Sequence, residues 1–137
     1  MAEAFTGVSP YARAWLHIGV VTVGGVKMAK SAGNLVLVAE LLAGYPAAAT
    51  RLLILDRRWD EDWEYDHAGL DAAAARLDRL HIAAGRPGRG VAGTDDAAVT
   101  AVRAALASDL DVPAALGIAE DEGGPAARTV GSLLALW

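Results

Sequence analysis

Trp15-Leu16-His17-Ile18-Gly19-Val20-Val21-Thr22-Val23-Gly24-Gly25-Val26-Lys27-Met28-Ala29-Lys30-Ser31-Ala32-Gly33-Asn34 is the stretch that decides how this chain folds. Ile18, Val20, Val21 and Val23 are strand formers, and Gly24-Gly25 follows them as a turn. Val26-Lys27-Met28 then returns as a second short strand, which predicts a hairpin. Gly33-Asn34 breaks the chain before an apolar run, Leu35 to Leu42. The β-branched content of that run leaves helix and strand both open, with Gly44 as a stop.

Outward from this head the patterns differ. Residues 1–9 hold no strong periodicity. From Tyr45 onward the reading is helical. Pro46 suits a first helical position, and Ala49, Leu52, Leu53 and Asp56 follow at helical spacing. Residues 57–65 make a polar-aromatic corner. Asp66 can cap a helix carrying Leu70, Ala74, Leu77 and Leu80-His81. Residues 85–93 read as a loop. Thr94 can cap a helix through Ala98, Val102, Ala105 and Leu106, and Asp111 another, with Pro113 near its start. Gly123-Gly124-Pro125 precedes a last helix through Leu133, Leu134, Leu136 and Trp137. The expected fold is therefore mainly α. A short hairpin and lysine-loop segment over residues 1–44 leads into a bundle of four or five helices over residues 45–137.

Composition narrows the function classes. The 137 residues include no cysteine, which argues against a disulfide scaffold and against thiolate metal sites. Hydrophobic residues reach 54%, much of it alanine, and aromatic residues only 6%, a balance that favours helix. The formal charge is -5. Binding to nucleic acid needs a basic face, and here only Arg57-Arg58 and Arg86 to Arg89 concentrate positive charge, so autonomous RNA binding is not expected. No apolar run reaches the roughly 20 residues that span a bilayer. Nor does the N-terminus have the layout of a signal peptide, so a cytoplasmic protein is expected.

Chemistry concentrates in Lys27 to Asn34. Two lysines three apart, beside the Ser31 hydroxyl and a flexible glycine, can grip the oxygens of a polyphosphate. Charge developing on departing pyrophosphate would meet a preplaced ammonium. Lysine suits such a loop because it is a point charge on a flexible stem. The plainer alternative is a pair of solvated surface charges in an ordinary turn. Elsewhere the plain readings hold. Trp59, Trp63 and Tyr65 are spaced for packing, and Asp60-Glu61-Asp62 is a solvated face. Asp95-Asp96 and Asp109 to Asp111 are helix-start acids favoured by the dipole. His67 and His81 are too scattered for a zinc site, which needs three or four clustered donors.

Lys27-Met28-Ala29-Lys30-Ser31 resembles the KMSKS loop of class I aminoacyl-tRNA synthetases, with alanine at position 29 in place of serine. Trp15-Leu16-His17-Ile18-Gly19 resembles the W-x-H-x-G segment ahead of that loop in cysteinyl-tRNA synthetases. The match is closer to their relatives, the ATP-dependent cysteine:glucosaminyl-inositol ligases of mycothiol biosynthesis. Gly33 to Val38, Arg51-Leu52-Leu53, Trp59-x-x-x-Trp63-Glu64, Asp109 to Leu116 and Leu133-Leu134 are similar to runs in those ligases, in the same order. The likeness extends from about Phe5 to Trp137. His17-Ile18-Gly19-Val20 superficially resembles the HIGH signature of the same class. Only the six residues Val21 to Val26 separate it from Lys27, too few for the intervening domain, and that reading is rejected.

The resemblance implies that Lys30 contacts ATP phosphates during cysteine adenylation, with Lys27 and Ser31 in support. Backbone at Met28 would lie against the adenine, and His17 and Gly19 would position the approach strand. It also implies that residues 1–44 end a class I catalytic domain and that residues 45–137 are similar to an anticodon-binding bundle. ATP with Mg2+ would act in an assembled enzyme. Zinc is expected only in a missing N-terminal half, since neither a HIGH element nor zinc ligands occur here, and no metal site is assigned to this chain. The partner expected is that N-terminal half, or a second copy of the chain. Two further readings stay open: a non-catalytic, synthetase-like helical interaction module, and a tRNA-binding module.

Overall fold

The computed structural model describes residues 2–88 and 95–137. A short helix α1 spans Ala2–Thr6, where the sequence showed no periodicity. Strand β1 (Val21–Val23) turns through Gly24-Gly25 into β2 (Val26–Lys27), pairing Thr22 with Lys27 and Val23 with Val26. Both turn glycines have positive φ, 62° and 74°, which glycine adopts at no steric cost and which matches the twist of a two-residue hairpin. The expected hairpin is therefore present. A third strand, β3 (Trp63–Glu64), adds parallel to β1, with Val21 opposite Trp63. It was not foreseen: the residues read as a corner complete the sheet, in the order β2-β1-β3.

Residues 35–37 run on as connecting chain, and the apolar run becomes helical only at α2 (Val38–Gly44). Helix α3 (Ala47–Leu55) follows, with Pro46 one residue ahead of the first turn as its N-cap rather than inside it. Helix α4 (His67–Gly85) starts at Asp66, whose side chain accepts the Gly69 amide at 2.7 Å. Helix α5 covers Asp95–Ala107; the expected Thr94 cap lies outside the described residues, as do residues 89–93 of the loop. Helix α6 (Val112–Glu122) starts at Asp111, which accepts from Ala114 at 3.1 Å. Helix α7 spans Gly124–Leu133. The chain then folds back instead of staying helical, with Leu136 donating to the Gly131 carbonyl at 2.8 Å.

The core lies in the helices. Leu52, Leu70, Leu80, Val102, Leu116 and Val130 are fully buried, packed with small residues such as Ala49, Ala115 and Ala127. The alanines let α4, α6 and α7 approach closely enough to share one apolar layer. At its edge Arg76 of α4 reaches both Asp56, which closes α3, and Glu120 of α6, at 2.6 and 3.0 Å. No described helix is long and apolar enough to cross a membrane. The architecture is mainly α with a small sheet at its N-terminal side.

Candidate functional site

The lysine loop grows directly out of the hairpin. Lys27 closes β2, and the Met28 amide donates to the Val21 carbonyl at 2.8 Å, extending the ladder by one residue. Met28 then turns inward and packs on the core, while Lys27 faces solvent. Lys30, Ser31 and Ala32 form a single 3-10 turn, closed by Gly33 at φ 69°, a conformation that leaves the chain free to double back. Ammonium and hydroxyl of Lys30 and Ser31 stand on the exposed face of that turn. Neither lysine enters an ion pair among the described residues. Both are therefore available to an anion, and as compact charges on long stems they can adjust to one.

Asn34, behind the glycine, reaches back under the loop. Its Oδ1 accepts the Ala29 amide at 2.9 Å, and its Nδ2 donates to the carbonyls of Lys27 and Val26 at 3.2 and 3.3 Å. Sequence reading treated Asn34 only as a breaker. The signal that could have found it is an amide placed just past a left-handed glycine, where a side chain can return to its own loop.

His17 and Gly19 lie ahead of β1 rather than in the lysine turn. The exposed His17 ring lies beside Trp15, with centroids 6.5 Å apart. Gly19 donates to the Trp59 carbonyl at 2.8 Å and runs so close to the 59–62 turn that a Cβ there would fall 1.9 Å from the Glu61 oxygen. Next to it, Val20 donates to the Asp62 carboxylate at 2.6 Å. The glycine thus fixes where the approach strand docks. Gly19 and Met28 both border an apolar cavity of about 410 Å3 between the sheet and α3, with Leu53, Trp59, Trp63 and Tyr65 on its wall. Arg57 covers one side, its guanidinium 3.7 Å from the centre of the Trp63 ring, and burial lowers its pKa.

Glu64 of β3 secures the hairpin from the other side. Its carboxylate takes the Thr22 hydroxyl and, at 3.2 and 3.3 Å, the Gly25 amide in the turn. The Thr22 hydroxyl, followed by the turn amides of Gly25 and Gly24, holds the Glu64 carboxyl below its ordinary range, against a smaller opposing effect of burial. The sheet is small, and these polar clasps hold the loop's base.

The family of class I (C) tRNA synthetase catalytic domains matches residues 1–75, and the chain belongs to that family. Beyond this match, the chain is 43% identical to the L-cysteine:1D-myo-inositol 2-amino-2-deoxy-alpha-D-glucopyranoside ligase of Streptomyces griseus, over 97% of this chain and 36% of the relative. The ligase of the same name from Streptomyces coelicolor is 47% identical over 84% of this chain and 28% of its own length. That of Parafrankia is 44% identical over 96% and 29%. The chain spans about a third of the length of the curated relatives it matches.

Proposed function

We propose that this chain supplies the phosphate-gripping loop and helical support of an ATP-dependent cysteine-activating ligase, and that it works together with an N-terminal catalytic half. The observation that carries this reading is the exposed pair Lys27 and Lys30, without an ion pair among the described residues, on a clasped turn in a chain of this family. In the reaction, the cysteine carboxylate attacks the α-phosphorus of ATP, forming cysteinyl adenylate and releasing pyrophosphate. The acceptor amine of an amino-sugar inositol then attacks the acyl carbon, forming the amide and releasing AMP. Lys30 is assigned to the phosphate oxygens of the leaving pyrophosphate, with Lys27 and the Ser31 hydroxyl in support. Met28 backbone would face the adenine, and Mg2+ would accompany the nucleotide. His17 and Gly19 would set the approach strand. Zinc for the substrate thiol belongs to the other half.

The test joins this chain to the N-terminal catalytic half of a curated relative and measures cysteine-dependent ATP–pyrophosphate exchange. Exchange should exceed that of either half alone. Lys30→Ala should lower it by about 10²–10³, the usual loss when one preplaced charge-stabilising group is removed. No gain on joining the halves would reject the reading.

A further inference from the structure

We infer that Asn34 is the positioning residue of the lysine loop: its amide presets where Lys30 stands relative to Lys27, which β2 already holds. The inference rests on the reading of the loop as a polyphosphate grip. Three hydrogen bonds from one side chain join both ends of the loop. The Oδ1 atom holds the Ala29 amide, immediately before Lys30, and Nδ2 holds the carbonyls of Val26 and Lys27. A carboxamide is needed here, because it carries an acceptor and a two-hydrogen donor on one planar head. An isosteric carboxylate would turn lone pairs toward two carbonyls.

Beyond Lys27 in β2 and Met28 on the core, nothing else among the described residues tethers the turn strongly. Lys27, Lys30, Ser31, Ala32 and Gly33 are all exposed, and a Cβ on Gly33 would meet open space. Besides the Asn34 clasp, the turn is closed among the described residues by backbone bonds from Ala32 to Ala29 at 3.1 Å and from Gly33 to Lys30 at 3.2 Å. Burial therefore does not fix where the Lys30 stem begins; the Asn34 amide does. Catalysis by charge stabilisation depends on groups already in place when charge develops. With the clasp removed, Lys30 keeps its charge and loses its address.

The joined ligase described above tests this. Asn34→Ala should leave the thermal midpoint close to wild type, because the core lies in the helices, and should lower exchange by about 10- to 100-fold. Because Asn34 acts through Lys30, combining Asn34→Ala with Lys30→Ala should be no worse than Lys30→Ala alone. Losses that multiply would overturn the inference, since contacts that act independently add in free energy. Asn34→Asp, equal in shape but without the donated bonds, should also lose exchange; wild-type exchange in either single variant overturns the assignment. Exchange that depends on Lys30 and not on Asn34 sinks this inference alone. A joined wild type without exchange, or one indifferent to Lys30→Ala, sinks the ligase reading and this inference with it.

Discussion

Gly19→Ala should detach the sheet from the turn that supports it while sparing the helical bundle. The new Cβ would meet Glu61 O at 1.9 Å, Glu61 C at 2.3 Å and Asp62 N at 2.8 Å. All three are backbone atoms, so no side-chain rotation relieves the overlap, and residues 18–20 must part from residues 59–62. Two hydrogen bonds cross that contact: Gly19 N–H to Trp59 O at 2.8 Å and Val20 N–H to Asp62 Oδ1 at 2.6 Å. A neutral bond contributes a net of about 0.5–1.5 kcal/mol and one to a charged acceptor about 1.5–3 kcal/mol, so losing both costs about 2–4.5 kcal/mol. At roughly 1.4 kcal/mol per tenfold, local opening should become about 30- to 1,600-fold more frequent. Native-state hydrogen exchange reads this directly. Amides of Val20, Trp63 and Tyr65 bind across this part of the sheet and should lose protection by that factor. Those of Leu80 and Leu116, in helices remote from the contact, should keep theirs. Unchanged protection at Val20 and Trp63 would refute the reasoning.

Other expectations follow from the same geometry. Leu80→Ala or Leu116→Ala, both fully buried, should cost about 2–5 kcal/mol in urea denaturation, as truncations in a packed core do. Glu120→Ala removes the partner of Arg76 and Arg79 at 3.0 Å each and should cost about 1–3 kcal/mol by the same method, because Arg76 is largely shielded. Arg79→Ala, at the exposed end, should cost less than about 1 kcal/mol. Glu64 sets an acid limit. Its folded pKa lies below the ordinary 4.5, so the unfolded chain binds the proton more tightly. Its contribution is complete above that value and fades as pH falls through the folded pKa. Exchange protection of the Gly25 amide should drop in that range, and Glu64→Gln should remove the acid-dependent part of the drop.

Where a signal was local, the sequence was readable. Gly24-Gly25 announced the hairpin because two consecutive positive φ angles nearly require glycine. Asp66 and Asp111 announced α4 and α6 because a short acceptor two or three residues ahead of free amides has one obvious use. Signals that span the chain were lost. Strand β3 is two residues long and pairs with β1 across about 40 positions, and its Trp-Glu pair gives no period to detect. Pro46 shifted by one position because a proline at the cap and one in the first turn look alike in sequence. Around the candidate site, the residue pattern and the resemblance drew attention to the lysines, whereas Asn34, Asp62 and Glu64 were invisible as clasps. Each acts by reaching a backbone group whose position only the folded chain defines.

Those three side chains also explain how a small sheet can present an ordered loop. Strands of two or three residues bury too little to be stable by themselves. The helices hold most of the apolar core, and the sheet borrows rigidity from polar groups at its margins. Asp62 fixes where β1 begins, Glu64 holds the hairpin turn, and Asn34 closes the loop. Hydrogen bonds on an accessible surface are individually weak, so this arrangement is firm only as a set. Stability and loop geometry should therefore separate under mutation. Substitutions in the helical core should lower the melting temperature, whereas losing a clasp should change the loop before it changes the melt. A clasp variant that melted as early as Leu80→Ala would mean that head and bundle fold as one cooperative unit, and the division of labour argued here would fail.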